Sequence, residues 1–145
     1  MATQPLGELL IQKGLITRVQ LTAALQAQRT TKEFLGALCV RKGWVSEEAL
    51  LDTLAEQFGM PRVHLEHERV EPEVAKRFSP ALLQEHHCLP MRLDGQEVVV
   101  ALANPLDAWA VSELEREAGF RKVRLVLASV KEIDAAVARL QELKE

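Results

Sequence analysis

Apolar residues in the first part of the chain recur at helical spacing. Leu6, Leu9, Leu10 and Lys13 fall at i, i+3, i+4 and i+7, which predicts a short amphipathic helix ending at Gly14. Gly14 stands where a left-handed residue closes a helix, and the apolar pair Leu15-Ile16 follows it. Thr17-Arg18-Val19-Gln20 fits a capping box, so a second helix starts at Thr17 and runs to about Arg29. Its core face carries Leu21, Ala24, Leu25 and Gln28. The plan then repeats. Leu35, Leu38 and Cys39 predict a short helix closed by Gly43, and Ser46 caps a helix carrying Leu50, Leu51, Leu54 and Gln57. Gly59 and Pro61 close that last helix.

After Pro61 the texture changes. Val63-His64-Leu65 predicts a short strand, and Glu73 to Phe78 and Pro80 to Glu85 predict two short helices. Leu89 to Leu93 and Val98 to Leu102 flank Asp94-Gly95, the signature of a tight hairpin. Asn104-Pro105 ends the second strand, Asp107 caps a helix to about Ala118, and Val123 to Leu127 is a third strand. Ser129 caps a final helix to the C-terminus carrying Ile133, Val137 and Leu140. The expected class is therefore α+β. Residues 1–60 form a four-helix tandem-repeat subdomain, and residues 61–145 a small α/β sandwich subdomain with a short sheet.

The repetition is close enough to write as a motif. Leu6-Gly7-x2-Leu10-x3-Gly14-x6-Leu21-x3-Leu25-x2-Gln28 recurs 29 residues later as Leu35-Gly36-x2-Cys39-x3-Gly43-x6-Leu50-x3-Leu54-x2-Gln57. A fixed period marks a duplicated unit whose apolar face needs its twin for burial. Gly7 and Gly36 lie inside helices, where glycine is costly unless a ligand or a neighbouring helix approaches closely. Helix packing is favoured of the two.

Composition narrows the function. Net charge is −3, and six Lys/Arg against six Asp/Glu in residues 1–60 leave no basic patch for nucleic acid. The helix from Glu47 to Gln57 holds no basic residue, unlike a recognition helix. Cys39 and Cys88 stand in unrelated contexts, for which a reduced, cytosolic compartment is the simpler reading and one disulfide the alternative. Met-Ala-Thr-Gln-Pro has no basic region before an apolar run, and no apolar stretch reaches the length of a membrane span. His64, His67, His86, His87 and Cys88 match no metal-ligand spacing, so no metal is expected. Trp44 takes the place of Leu15 in the second copy, and both Trp44 and Trp109 are expected to be packing anchors. No G-x4-G-K-[ST] phosphate loop, nucleophile elbow or catalytic triad order occurs, so no catalysis is expected.

The tandem pattern resembles the N-terminal domain of type II secretion and type IV pilus assembly ATPases, the GspE N-terminal or MshEN family. That family's motif reads Arg-Leu-Gly-x2-Leu-x3-Gly-x6-Leu-x3-Leu-x2-Gln, written twice around a five-residue spacer, here Arg29 to Glu33. The run from Val74 through Leu89-Pro90, Asn104-Pro105-Leu106-Asp107 and Ser129 to Leu140 resembles the family's second subdomain. The resemblance implies a cytoplasmic module without an ATPase core. It would dock to a platform or ATPase partner and reach the inner membrane only through that partner. It also implies cyclic di-GMP as the ligand of the tandem motif. The implied nucleotide-binding positions are Leu6, Gly7, Leu10, Gly14, Leu21, Leu25 and Gln28, with Leu35, Gly36, Gly43, Leu50, Leu54 and Gln57 in the second copy. Pro5 and Phe34 stand where the motif has arginine, and Cys39 replaces a motif leucine. The favoured expectation is thus an interaction module with a degenerate motif. The alternative is a cyclic di-GMP sensor in which Phe34 stacks on the ligand and Arg18, Arg29 or Lys32 supplies charge.

Overall fold

The computed structural model describes residues 5–119 and 121–142, the side chain of Gln141 excepted. The chain divides into two compact units, Met1–Gly59 and Met60–Glu145.

The first unit is α1 (Leu6–Gln12), α2 (Arg18–Thr31), α3 (Leu35–Arg41) and α4 (Glu47–Phe58). Its local signals act as their chemistry requires. Thr17 accepts the Gln20 amide N–H while the Gln20 side chain accepts the Thr17 N–H, closing the capping box of α2. Ser46 caps α4 through the Ala49 N–H at 3.1 Å. α2 runs past Arg29 to Thr31 and ends on Lys32, a left-handed non-glycine residue (φ 63°). Leu6, Leu10, Ile16, Leu21, Ala24, Leu38, Cys39, Val45, Leu51 and Leu54 are buried. Thr53 is buried too, its hydroxyl donating to the Ala49 carbonyl at 2.8 Å. One sequence expectation fails here. Leu25 does not join the core; it is 46% exposed, whereas its twin Leu54 is 2% exposed.

The second unit holds a sheet of β1 (Cys88–Asp94), β2 (Glu97–Leu102) and β3 (Lys122–Leu127), in that order. β1 and β2 are antiparallel, β2 and β3 parallel, with α7 (Ala108–Ala118) as the crossover. Asp94 pairs with Glu97, so the turn residues are Gly95 and Gln96 and not Asp94-Gly95. Gly95 has φ 62° at the first central position, a backbone state that suits glycine in a hairpin. Met91 is bulged between Pro90 and Arg92, which accommodates a proline that cannot donate to the ladder. α5 (Pro72–Ala75), α6 (Pro80–Glu85) and α8 (Val130–Glu142) complete the unit. α5 is shorter than the helix expected over Glu73 to Phe78. The final helix is capped by Ser129, whose hydroxyl accepts the Glu132 N–H at 3.1 Å. Ile133, Val137 and Leu140 are buried as expected. The predicted extension of that helix over residues 143–145 lies outside the described residues.

The strand expected at Val63-His64-Leu65 does not form. Arg62 makes a single parallel bridge to Leu127, and Leu65–His67 is a 3₁₀ turn. The Leu65 N–H is drawn to the Glu132 carboxylate at 2.8 Å, which turns the segment onto α8 and away from the sheet edge. Among the described residues no helix is long and apolar enough to cross a membrane.

Candidate functional site on the tandem repeat

The motif glycines divide into two kinds. Gly14 (φ 74°) and Gly43 (φ 79°) each follow a short helix as its left-handed closing residue, with no atom within 4 Å of where a Cβ would stand. Both close a Schellman motif. Gly14 and Leu15 donate to the carbonyls of Ile11 and Leu10, each at 2.9 Å; Gly43 and Trp44 donate to those of Val40 and Cys39, each at 3.0 Å. Gly7 and Gly36 have the other task. A Cβ on Gly7 would meet Leu21 Cδ1 at 2.6 Å, and one on Gly36 would meet Leu50 Cδ1 at 2.7 Å. In each copy the leucine of the following helix fills the space the glycine opens, so helix packing explains both residues.

The remaining motif residues separate by depth. Leu6, Leu10, Leu21 and Leu54 are buried, Leu35 and Leu50 half-buried, and Leu25 exposed. Gln28 is half-buried, and its amide nitrogen donates to the Glu33 carbonyl at 3.0 Å, tying the end of α2 to the turn into α3. Gln57 is half-buried near the end of α4. Pro5 and Phe34, which replace the motif arginines, are the N-cap residues of α1 and α3, both exposed and neither making a side-chain cap bond.

The nearby cations differ in availability. Arg18 is held bidentately by Glu8 at 3.1 and 2.9 Å, and Arg41 by Glu33 with a shortest contact of 2.7 Å. Arg29 and Lys32 are exposed and pair with no carboxylate among the described residues. The Arg18 hydrogen bonds hold the Glu8 carboxyl below its ordinary value of 4.5, and those of Arg41 do the same to Glu33. A carboxylate with a lowered folded pKa adds stability above its ordinary value, and that stability is lost as pH falls through the folded one. The first unit should therefore lose thermal stability below pH 4.5, by a small amount because both pairs are exposed. Glu33→Gln should remove part of that loss, as followed by circular dichroism melts at neutral and acid pH.

In the second unit the histidines resolve into pairs. His86 Nδ1 lies 2.7 Å from Asp107 Oδ2, and His87 Nδ1 lies 2.8 Å from Asp134 Oδ1. The other Asp107 oxygen accepts the Ala110 N–H and caps α7. Among the described residues no group of three or more His, Cys, Asp or Glu side chains could hold a metal ion. Cys88 is buried, and burial pushes its thiol up to about 12, so it is no nucleophile at neutral pH. Trp109 corrects the sequence expectation. It is 57% exposed, its ring 4.7 Å from His86, and it anchors no core. Trp44 is half-buried, with Lys42 Nζ 5.9 Å from its ring. Sequence spacing could not find the His86–Asp107 pair, because 21 residues separate its members. A groove of about 690 Å³ between His64 and Pro72 and α8 gathers none of the expected site residues.

Comparison with known proteins decides the family. The MshEN domain matches residues 58–145, more than half of the chain. The chain belongs to the MshEN domain family. That match lies on the second unit, while the tandem motif that carries the resemblance in sequence precedes it. Broader similarities span both parts of this MshEN chain. It is 31% identical over 134 residues to the type IV pilus assembly ATPase PilB of Myxococcus xanthus (strain DK1622), covering 92% of this chain and 24% of that protein. It is 30% identical over 124 residues to bacteriophage adsorption protein B of Escherichia coli (strain K12), covering 86% of this chain and 16% of that one. This MshEN chain thus spans a quarter or less of these relatives. Among solved structures it is similar to MshE with cdg (TM-score 0.83, 26% identity, 94% of this chain and 99% of that one). It is also similar to the N-terminal domain of XpsE (TM-score 0.79, 25% identity, 96% and 98%).

Proposed function

We propose that this chain is a non-enzymatic regulatory and interaction module of a type IV pilus or type II secretion machinery. It docks to a protein of that machinery, the inner-membrane platform or the ATPase, and reaches the membrane through that partner. Its cyclic di-GMP motif survives as scaffold. One observation carries this reading. The positions where the motif supplies arginine hold Pro5 and Phe34, so the charged groups that would meet two phosphates are gone while the Leu/Gly frame packs on itself.

Calorimetric titration of the purified chain with cyclic di-GMP at low salt tests the ligand half of the proposal. No heat is expected up to roughly hundreds of micromolar, and binding at about a micromolar or tighter overturns it. Titration with the cytoplasmic region of the platform protein, and with the ATPase core, tests the docking half. Absence of both contacts would sink it.

A second reading has a specific observation in its favour. Phe34 is 42% exposed and follows Glu33, whose carbonyl holds the Gln28 amide, so an aromatic face and a glutamine stand together. If that pair binds cyclic di-GMP, a Gln28→Ala, Gln57→Ala double variant loses the binding. Unchanged affinity rules the reading out.

A further inference from the structure

The turn from α2 into α3 is braced from three sides. The Gln28 amide donates to the Glu33 carbonyl at 3.0 Å, and the Glu33 N–H donates to the Thr31 hydroxyl at 3.3 Å. Arg41 of α3 holds the Glu33 carboxylate through Nε at 3.0 Å and a terminal nitrogen at 2.7 Å. Phe34, 42% exposed, follows this turn directly, so its place is fixed before any partner arrives.

The end of α2 beside that turn presents Leu25, Arg29 and Lys32. They are spaced i, i+4 and i+7, which puts them along one edge of the helix. Leu25 is 46% exposed, and both cations are exposed. The charges are unspent. Lys13, Arg18 and Arg41 of the same unit pair with Glu56, Glu8 and Glu33, whereas Arg29 and Lys32 pair with no carboxylate among the described residues. α2 itself contains no acidic residue.

The internal repeat supplies the control. Shifted by 29 residues, Leu25 and Arg29 correspond to Leu54 and Phe58 of α4. Leu54 is 2% exposed, so the twin position is covered by the unit's own packing and carries no charge. An open, cationic helix end is therefore a departure of the first copy and not a property of the frame. Aromatic, aliphatic and arginine side chains side by side, on a preordered turn, are the composition of a protein anchor point.

We propose that Leu25, Arg29, Lys32 and Phe34 dock an acidic segment of a partner protein that carries a large apolar side chain. Its carboxylates meet the guanidinium and the ammonium, and its apolar side chain packs on Leu25 and Phe34. This inference rests on the docking reading above and names the surface it uses and the chemistry of the partner.

Calorimetric titration with the cytoplasmic region of the platform protein tests it. The native chain should bind, less tightly as salt rises. An Arg29→Glu, Lys32→Glu double variant and Phe34→Ala should each weaken binding about tenfold or more. Arg29→Gln with Lys32→Gln, which places no acid at the end of the helix, should lose less and flatten the salt dependence. Lys131→Glu with Arg139→Glu is the control. Both are exposed cations on α8 that pair with no carboxylate among the described residues, and the change in net charge is the same. That variant should bind within about twofold of the native chain. All four changes lie on exposed side chains, and circular dichroism should show unchanged folds.

Platform binding indifferent to the α2 and Phe34 variants overturns the proposal and leaves the docking reading standing. A native chain that binds no platform protein overturns both. An equal loss in the α8 control shows a general attraction of charge and overturns the assignment to α2. Cyclic di-GMP binding that disappears in the charge-reversed variant while platform binding persists assigns the two cations to the nucleotide and overturns it as well.

Discussion

Arginine placed at both position 5 and position 34 is expected to raise affinity for cyclic di-GMP by about 10²–10⁴-fold over the native chain. The factor follows from two charge-assisted hydrogen bonds at about 1.5–3 kcal/mol each. The backbone is ready for the change. Pro5 (φ −58°, ψ 148°) and Phe34 (φ −65°, ψ 145°) share one conformation, which arginine adopts without strain. Both side chains are exposed at the start of a short helix, so a guanidinium there disturbs no core. Parallel calorimetric titrations of the native chain, each single variant and the double variant measure the effect. If the motif is an intact scaffold without its charges, the two gains should be of similar size and nearly multiply. A Phe34→Arg variant that binds less well than the native chain would instead mark Phe34 as the ligand's stacking partner. A double variant no better than the native chain would mean that this Leu/Gly frame no longer shapes a nucleotide site.

What could be read from the sequence was what local chemistry determines. Capping by Thr17, Ser46, Asp107 and Ser129, closure by Gly14 and Gly43, and the hairpin around Gly95 depend on residues a few positions apart. The elements built on them stand where the pattern put them. The failures needed partners from elsewhere in the chain. Leu25 and Leu54 hold the same motif position with the same periodicity, yet one is exposed and the other buried. A helix's own pattern says which stripe is apolar, not how widely a neighbour covers it. His64 and Leu65 leave the sheet edge because of Glu132, 67 residues after Leu65. Trp109 is held outward on a histidine 23 positions earlier, a contact no window can see. The site divides in the same way. Gly14 was legible as the left-handed end of a helix, whereas Gly7 was legible only as a choice between packing and ligand approach. Only the position of Leu21 decides it.

That decision leads to the second large effect. Gly7→Val is expected to cost the first unit about 3 kcal/mol, the upper part of the range for an overpacked core. The new Cβ would stand 2.6 Å from Leu21 Cδ1, 3.2 Å from its Cδ2 and 3.3 Å from Leu35 Cδ2. Leu21 is buried, so its end cannot swing into solvent to make room. A unit of this size, Met1–Gly59, holds only about 3–9 kcal/mol at 0.05–0.15 kcal/mol per residue. The melting temperature of the unit should fall by about 10–20 °C. Gly14→Ala differs in kind. Nothing crowds its Cβ, so its cost of about 1–2 kcal/mol comes from holding alanine at φ 74°. Leu21→Ala separates the two mechanisms. It opens the space that the larger side chain at position 7 needs, so the Gly7→Val, Leu21→Ala double variant should be more stable than the summed single losses by about 1–3 kcal/mol. With Gly14→Ala the losses should simply add, because no side chain is in the way. Thermal melts of the three single and two double variants measure both couplings. Strict additivity in the Gly7 pair would show that the glycine is not there to admit the leucine.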